Sequence, residues 1–149
     1  MEPEEIITLL TVVTLGTLWN LYSMWLSKKN IPTPKPKHVF VVEDSDDDFK
    51  MFNMFVHLEN CVIHRYKSAD NMLFDIARVK PDLVIVDYFL AGKVRGDKLS
   101  KFCGRKIPSI LVTGYEGEIV DAPPERTLIK SPEPEYFDKL QALAYKLMA

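Results

Sequence analysis

Cysteine and histidine are scarce in this sequence, which holds two Cys and three His among 149 residues. Cys61 and Cys103 stand in or beside apolar segments with no second Cys close by, so neither a disulfide framework nor a cysteine-rich metal site is indicated. Both residues are predicted to be free thiols, as is usual in a reducing compartment. The histidines, His38, His57 and His64, do not share the spacing of metal ligands.

An excess of basic residues is absent as well. The chain has 19 Lys and Arg against 21 Asp and Glu, and its net charge is −2. This charge balance excludes nucleic acid as the expected partner, because nucleic-acid-binding proteins cluster Lys and Arg against the phosphates. The hydrophobic share of 47% and the charged share of 27% are those of a folded globular protein, not of a disordered or fibrous chain.

One long apolar run does occur, close to the N-terminus. Ile6–Leu26 has 21 residues without a charge, and as a helix it would be about 31 Å long, close to the bilayer core of about 30 Å. Trp19, Tyr22 and Trp25 gather at its downstream end, and lysines follow. Residues 1–27 are therefore predicted to be a single transmembrane anchor in an inner or cell membrane, with the rest of the chain cytoplasmic by the positive-inside rule.

Two other interpretations of the run are weaker. A cleavable signal peptide needs a basic region before the apolar core, whereas acidic residues precede this one. A buried helix of a soluble protein usually has a shorter apolar run. Residues 28–37, which come next, are rich in Pro and Lys and are predicted to form an extended linker to a domain at 38–149.

Short apolar runs alternate with helical patterns along this domain. Strands are predicted at His38–Val42, Val62–Tyr66, Leu83–Val86, Ile110–Val112 and Leu128–Ile129. Helices are predicted at Asp46–Glu59, Ser68–Val79, Asp97–Cys103 and Glu135–Met148. Strands that alternate with helices through short connections predict a parallel sheet with helices on both faces.

Polar residues follow four of the predicted strands. Glu43 and Asp44 come after the first strand, Asp87 after the third, Thr113 after the fourth and Lys130 after the fifth. Such a sheet places its site at the carboxyl ends of the strands, so these side chains are expected to converge. Clustered carboxylates suit a hard cation such as Mg²⁺. A phosphoryl group could then lie between that ion, the hydroxyl and the ammonium while the Asp87 carboxylate attacks it.

With these motifs, VVEDSDDD, LVIVDYFL, ILVTGY and TLIK, the sequence over about residues 37–149 resembles the receiver domains of two-component signalling. The resemblance implies a flavodoxin-like (βα)5 fold with strand order 2-1-3-4-5. It identifies Asp87 as the phosphoacceptor, with Thr113 and Lys130 bonding the phosphoryl oxygens. It also implies a Mg²⁺ site made of Glu43, Asp44, Asp87 and the backbone carbonyl of Phe89.

The same resemblance implies a signalling module and not an enzyme. Its expected partner is a sensor histidine kinase or a phosphotransfer protein, and its output is through contacts with another protein. A stand-alone receiver, tied to the membrane through Ile6–Leu26, is the expected organisation.

The places where the sequence departs from the family include the loop after Lys130 and the stretch before the fifth strand. Lys130 is followed by Ser131-Pro132, whereas the family usually has proline directly after this lysine. Pro123-Pro124 lies in a short stretch before the fifth strand, which predicts a stunted fourth helix or a loop. These departures keep open a receiver-like docking module that is never phosphorylated.

A third interpretation is an enzyme of another class. Asp44-Ser45-Asp46 after the first strand has the D-x-D pattern of phosphatases that use an aspartate nucleophile. That class needs further acidic metal ligands and usually an inserted cap domain, for which this chain has no room. The receiver is therefore the preferred interpretation.

Overall fold

The computed structural model describes residues 3–28, 34–92, 94–104, 106–114 and 123–149, except for the side chains of residues 3, 6–13, 26–28 and 124. The chain divides into two compact units, Met1–Pro34 and Lys35–Ala149. The predicted linker at 28–37 includes this boundary, and its residues 29–33 lie outside the described part.

The first unit contains one helix, α1, at Pro3–Lys28. Its described apolar side chains are exposed, and Trp19 and Tyr22 are in ring contact, as are Tyr22 and Trp25. Among the described residues, no helix combines the length and the apolar character needed to cross a membrane. The structure thus does not support the anchor predicted at Ile6–Leu26, of which the side chains at 6–13 and 26 lie outside the description.

The second unit is built on a five-stranded parallel sheet in the order β2-β1-β3-β4-β5. The strands are β1 Lys37–Val42, β2 Cys61–Tyr66, β3 Leu83–Asp87, β4 Ser109–Thr113 and β5 Thr127–Ile129. The helices are α2 Asp46–Phe55, α3 Ala69–Asp75, α4 Gly96–Cys103 and α5 Pro134–Met148. This topology confirms the predicted flavodoxin-like sheet.

Each face of the sheet has its own apolar core. Successive side chains of a strand point to opposite faces, so Val39 and Val41 pack toward α2 and α5, and Phe40 and Val42 pack toward α3 and α4. The central strand β3 is buried along its whole length. Each buried aliphatic side chain contributes about 1.5–3 kcal/mol, and these two cores fix the strand ends at which the polar residues lie.

Helix α2 ends at Phe55, four residues before the predicted end at Glu59. Side chains of α5 take over the backbone hydrogen bonds that a longer helix would make. The Gln141 side chain accepts from the His57 amide at 2.7 Å, and the Tyr145 hydroxyl donates to the His57 carbonyl at 3.1 Å and accepts from the Glu59 amide at 2.9 Å. These bonds satisfy backbone groups of His57 and Glu59 after the chain leaves the helix.

Helix α3 also ends early, at Asp75 instead of Val79. The amides of Arg78 and Val79 both donate to the Asp75 carbonyl, which closes a turn. Ser68, the first residue of the predicted helix, is its N-cap, because the Ser68 hydroxyl accepts from the Asn71 amide at 3.3 Å. The stunted fourth helix or loop predicted before the fifth strand concerns residues 115–122, which lie outside the described part. The chain that follows forms a 3₁₀ turn at Pro124–Arg126.

Two of the histidines meet across β1 and β2. His38 Nδ1 and His64 Nε2 are 2.9 Å apart, and the His64 ring also contacts Phe40. Burial, together with the neighbouring His38, lowers the pKa of His64 below its usual 6.5. Only one of the two facing nitrogens needs to carry a proton for this hydrogen bond, so a second proton would break it.

We therefore expect the free energy of unfolding to decrease as the pH falls below about 6.5. The folded state holds His64 neutral at a pH where the unfolded chain already binds a proton, so stability present above the unfolded pKa is lost as the pH drops toward the folded pKa. Urea denaturation between about pH 7.5 and about pH 5.5 should show a shallower dependence for His64→Gln than for the wild type. The exposed His57→Gln is the control, and equal slopes in all three proteins would contradict this role.

Candidate functional site

The carboxyl ends of β1 and β3 bring two buried carboxylates together. Glu43 and Asp87 follow apolar strand residues and are only 6% and 5% exposed. A buried carboxylate is costly unless it is paired or bound to a cation. The neighbouring Asp44 is half-buried, and its Oδ2 accepts from the Ala91 amide at 3.0 Å, which ties the loop after β3 to the end of β1.

A glycine sets the backbone on the other side of Asp87. Gly96 begins α4, and its amide donates to the Tyr88 carbonyl at 3.1 Å. A Cβ at this position would lie 1.8 Å from the Asp87 carbonyl oxygen and 2.8 Å from the Tyr88 Cα. Only glycine allows this approach, so Gly96 fixes how closely α4 packs against the end of β3.

Lys130 supplies the cation at the centre of the cluster. It follows β5, and its amide donates to the Thr113 carbonyl at 2.7 Å. Its Nζ lies 2.7 Å from Glu43 Oε2, 2.7 Å from Asp48 Oδ2 and 3.2 Å from Asp87 Oδ2. One ammonium thus contacts three carboxylates that come from β1, α2 and β3.

These contacts and the burial of the cluster shift the pKa values of its members. Burial raises the pKa of Glu43, although Lys130 partly opposes this. Burial alone would lower the pKa of Lys130, but the hydrogen bonds to Asp48 and Glu43 and the charge of Asp87 raise it above its usual value. Lys130 is therefore a permanent cation in the folded protein.

The acidic motif after β1 is shaped by a helix cap and an arginine. The Ser45 hydroxyl accepts from the Asp48 amide at 3.2 Å and caps α2, and the Ser45 amide donates to Glu43 Oε1 at 3.0 Å. Arg65 of β2 donates to the carbonyls of Glu43 and Ser45 and forms an ion pair with Asp46 at 2.7 Å. In this first turn the Asp48 carboxylate pairs with Lys130, whereas the Asp46 carboxylate pairs with Arg65.

Glu43, Asp44 and Asp87 can bring one carboxylate oxygen each within 4.8 Å of one another. Among the described residues, Asp87 Oδ1 is buried and has no hydrogen-bond partner. A buried carboxylate oxygen that lacks a protein donor fits a cation, and a set of oxygen donors fits Mg²⁺. The residues present are thus compatible with the predicted ion.

The other predicted site residues lie at the same edge of the sheet. Thr113 ends β4 and is fully buried. Phe89 lies on the loop after β3, with its side chain 60% exposed and its ring against Tyr88. The role of its backbone carbonyl as a ligand stays a prediction.

Sequence reasoning missed Asp48, because it treated the run of acids as an ordinary helix start. The capping position of Ser45 was the available signal, since the residue three positions after a cap is fixed in direction by the first turn. An apolar cleft of about 270 Å³ beside the site, between the sheet, α2 and α5, was also not foreseen. Tyr136 lines this cleft next to Lys130, and burial raises its pKa.

Neither a protein-family model nor a curated protein matches the chain. Several solved structures do match it. The signal receiver domain of an HD domain-containing protein from Pseudomonas fluorescens Pf-5 has a TM-score of 0.64 at 17% identity, over 76% of this chain and 97% of that chain. The CheY-like response regulator receiver domain protein from Methanospirillum hungatei JF-1 has a TM-score of 0.56 at 20% identity, over 75% and 94%.

A third match is the Mn²⁺-bound form of response regulator Rcp1, with a TM-score of 0.60 at 18% identity, over 72% of this chain and 91% of that chain. At such low identities the likeness is one of fold. It shows that the second unit has the fold of response-regulator receiver domains.

We expect Gly96→Ala to lower the free energy of unfolding by about 1–3 kcal/mol, because the added methyl group overlaps the backbone at Asp87. Gly114→Ala is the matched control, since a Cβ at that position meets no atom within 4 Å. Its effect should stay within about 0.5 kcal/mol. Urea denaturation of both variants gives the comparison, and equal losses would show that the contact between α4 and β3 can relax.

Proposed function

We propose that residues 38–149 form a signalling receiver that accepts a phosphoryl group on Asp87 from a sensor histidine kinase or a phosphotransfer protein. The phosphorylated form then acts through contacts with another protein, and no chemical turnover of a substrate is involved. One observation carries the proposal: one oxygen of the buried Asp87 carboxylate has no donor among the described residues, and this carboxylate lies 3.2 Å from the Lys130 ammonium.

The proposed step is an in-line displacement at phosphorus. An oxygen of the Asp87 carboxylate forms a bond to phosphorus while the bond between phosphorus and the donor, such as the nitrogen of a phosphohistidine, breaks. The electron pair stays with the donor imidazole, which takes up a proton from solvent, and Asp87 becomes an acyl phosphate. Lys130 is placed to donate to a phosphoryl oxygen, and Thr113 is the expected second donor.

Glu43, Asp44 and Asp87, with the carbonyl of Phe89, would hold Mg²⁺ in this proposal. The ion would neutralise negative charge on the carboxylates and on the phosphoryl group. The solved Mn²⁺-bound response regulator of the same fold is consistent with a divalent cation. The hydrogen bond from the Ala91 amide to the Asp44 carboxylate helps to hold the loop that carries Phe89.

The aspartate-nucleophile phosphatase is less well supported. Its second aspartate would be Asp46, but the Asp46 carboxylate pairs with Arg65 at 2.7 Å and with Lys67 at 2.8 Å. Asp46 is also absent from the group of carboxylates that could share an ion. The receiver-like module that is never phosphorylated differs from the proposal only in that it takes no phosphoryl group. The same experiment therefore distinguishes the two.

Incubation of the full chain with acetyl phosphate and Mg²⁺, followed by intact mass, tests the proposal. We expect one added phosphoryl group in the wild type and none in Asp87→Asn, because the amide is not a nucleophile for this step. Asp46→Asn is the control and should be labelled like the wild type. Absence of label in the wild type would favour the unphosphorylated module, and label on Asp87→Asn but not on Asp46→Asn would favour the phosphatase.

For localisation, we propose that Ile6–Leu26 holds the protein at the inner or cell membrane as a single-pass anchor, with the receiver in the cytoplasm. The support is the length of the uncharged run and the aromatic residues at its downstream end. Exposed large side chains such as those of Leu18 and Trp19 add to it, because exposed apolar patches mark contacts with membranes or proteins.

We expect the full chain to sediment with membranes and to resist extraction by alkaline carbonate, as integral proteins do. Replacement of Leu15 and Leu18 by Lys should release it, because each charge at the centre of a span costs about 2.5–3.5 kcal/mol. Lys substitution of Glu4 and Glu5, outside the apolar run, is the control. A wild-type chain that stays in the aqueous supernatant would rule out the anchor.

A further inference from the structure

Two of the three N–H groups of the Lys130 ammonium are already engaged, in hydrogen bonds to Glu43 and Asp48. A lysine ammonium has three N–H donors, and the Nζ of Lys130 has three carboxylate oxygens within 3.2 Å, from Glu43, Asp48 and Asp87. A phosphoryl oxygen that binds Lys130 therefore competes with these carboxylates for the ammonium. Which carboxylate gives way determines how readily the site accepts the group.

Asp48 differs from the other two partners. Glu43 and Asp87 belong to the carboxylates that can share one metal ion, whereas Asp48 does not. Both Glu43 and Asp87 are nearly buried, but the side chain of Asp48 is 49% exposed. Asp48 thus lies outside the candidate metal site, yet its contact with Lys130 at 2.7 Å is as short as that of Glu43.

The first turn of α2 holds Asp48 in this position. Its amide donates to the Ser45 hydroxyl at 3.2 Å, and this cap fixes the direction of the first turn. The local fold therefore positions Asp48 for its contact with Lys130. Because the side chain of Asp48 is short, the contact does not require a long, freely rotating acidic side chain to be ordered.

We propose that Asp48 restrains phosphorylation by competing with the phosphoryl group for Lys130. The proposal rests on the proposed function, since it concerns phosphoryl transfer to Asp87. If Asp87 took the phosphoryl group and Glu43 helped to hold the ion, Asp48 would be the carboxylate that remains on the ammonium. It holds one N–H of Lys130 and adds a negative charge that repels the anionic donor.

Asp47 provides a matched control for this role. It lies next to Asp48 in the same first turn and carries the same charge, but its carboxylate is 91% exposed and pairs with Lys50 at 3.3 Å. Asp47→Asn therefore removes one negative charge from the same helix end without changing the contacts of Lys130. A comparison of the two variants separates the contact from the general charge effect.

The first experiment measures the initial rate of phosphorylation of the full chain by acetyl phosphate with Mg²⁺. We expect Asp48→Asn to be faster than the wild type by about three- to tenfold, the range for loss of one partly exposed charge-assisted hydrogen bond. Asp47→Asn should stay within about twofold, since exposed charges are screened by salt. Asp48→Glu, which keeps the carboxylate, should restore slow labelling. A rate for Asp48→Asn equal to or below that of Asp47→Asn would overturn the proposal.

The second experiment titrates each unphosphorylated protein with Mg²⁺ alone. When the Asp48 carboxylate is absent, the Lys130 ammonium interacts only with Glu43 and Asp87 and competes more strongly with Mg²⁺ for them. The dissociation constant of Mg²⁺ should therefore rise about two- to fivefold in Asp48→Asn and stay unchanged in Asp47→Asn. If the wild type takes no label, the proposed function fails, and this titration still decides whether Asp48 weakens the interaction of Lys130 with the other two carboxylates. An unchanged dissociation constant in Asp48→Asn would show that it does not.

Discussion

The attraction between one ammonium and three carboxylates joins parts of the chain that are distant in sequence. Lys130 follows the last strand, and it meets Glu43 at the end of β1, Asp48 in α2 and Asp87 at the end of β3. Three like charges so close together would repel one another strongly in a partly buried site. The cation makes their assembly possible, and the same contacts limit what else the cation can bind.

The packing of the sheet determines that these charges meet at all. Strand β3 is buried on both faces, and Gly96 lets α4 approach the backbone of Asp87 more closely than any other residue would allow. Two apolar cores therefore hold a carboxylate where its desolvation is unfavourable. The stabilisation from packing the two cores offsets the unfavourable desolvation of this carboxylate, as is common at functional sites.

The sequence was sufficient to predict the strands, because each is a short apolar run, and their order followed from the resemblance. It also located Glu43, Asp87 and Lys130 at one sheet edge, since the carboxyl ends of parallel strands share that edge. It did not predict the end of α2, because Gln141 and Tyr145, more than eighty residues away, accept and donate the backbone hydrogen bonds there. Such long-range contacts leave no local signal. The pairing of His38 with His64 was missed for the same reason, since it depends on strand register.

The loop after Lys130 departs from the receiver pattern without displacing the lysine from the strand ends. Ser131 stands where a proline is usual, yet the Lys130 amide still bonds the Thr113 carbonyl at 2.7 Å, as a continuation of the pairing between β4 and β5. The ammonium therefore reaches the strand ends because the sheet directs the backbone of Lys130. The first turn of α2 adds a further contact with the same cation, because Ser45 caps this turn and Asp48 pairs with Lys130.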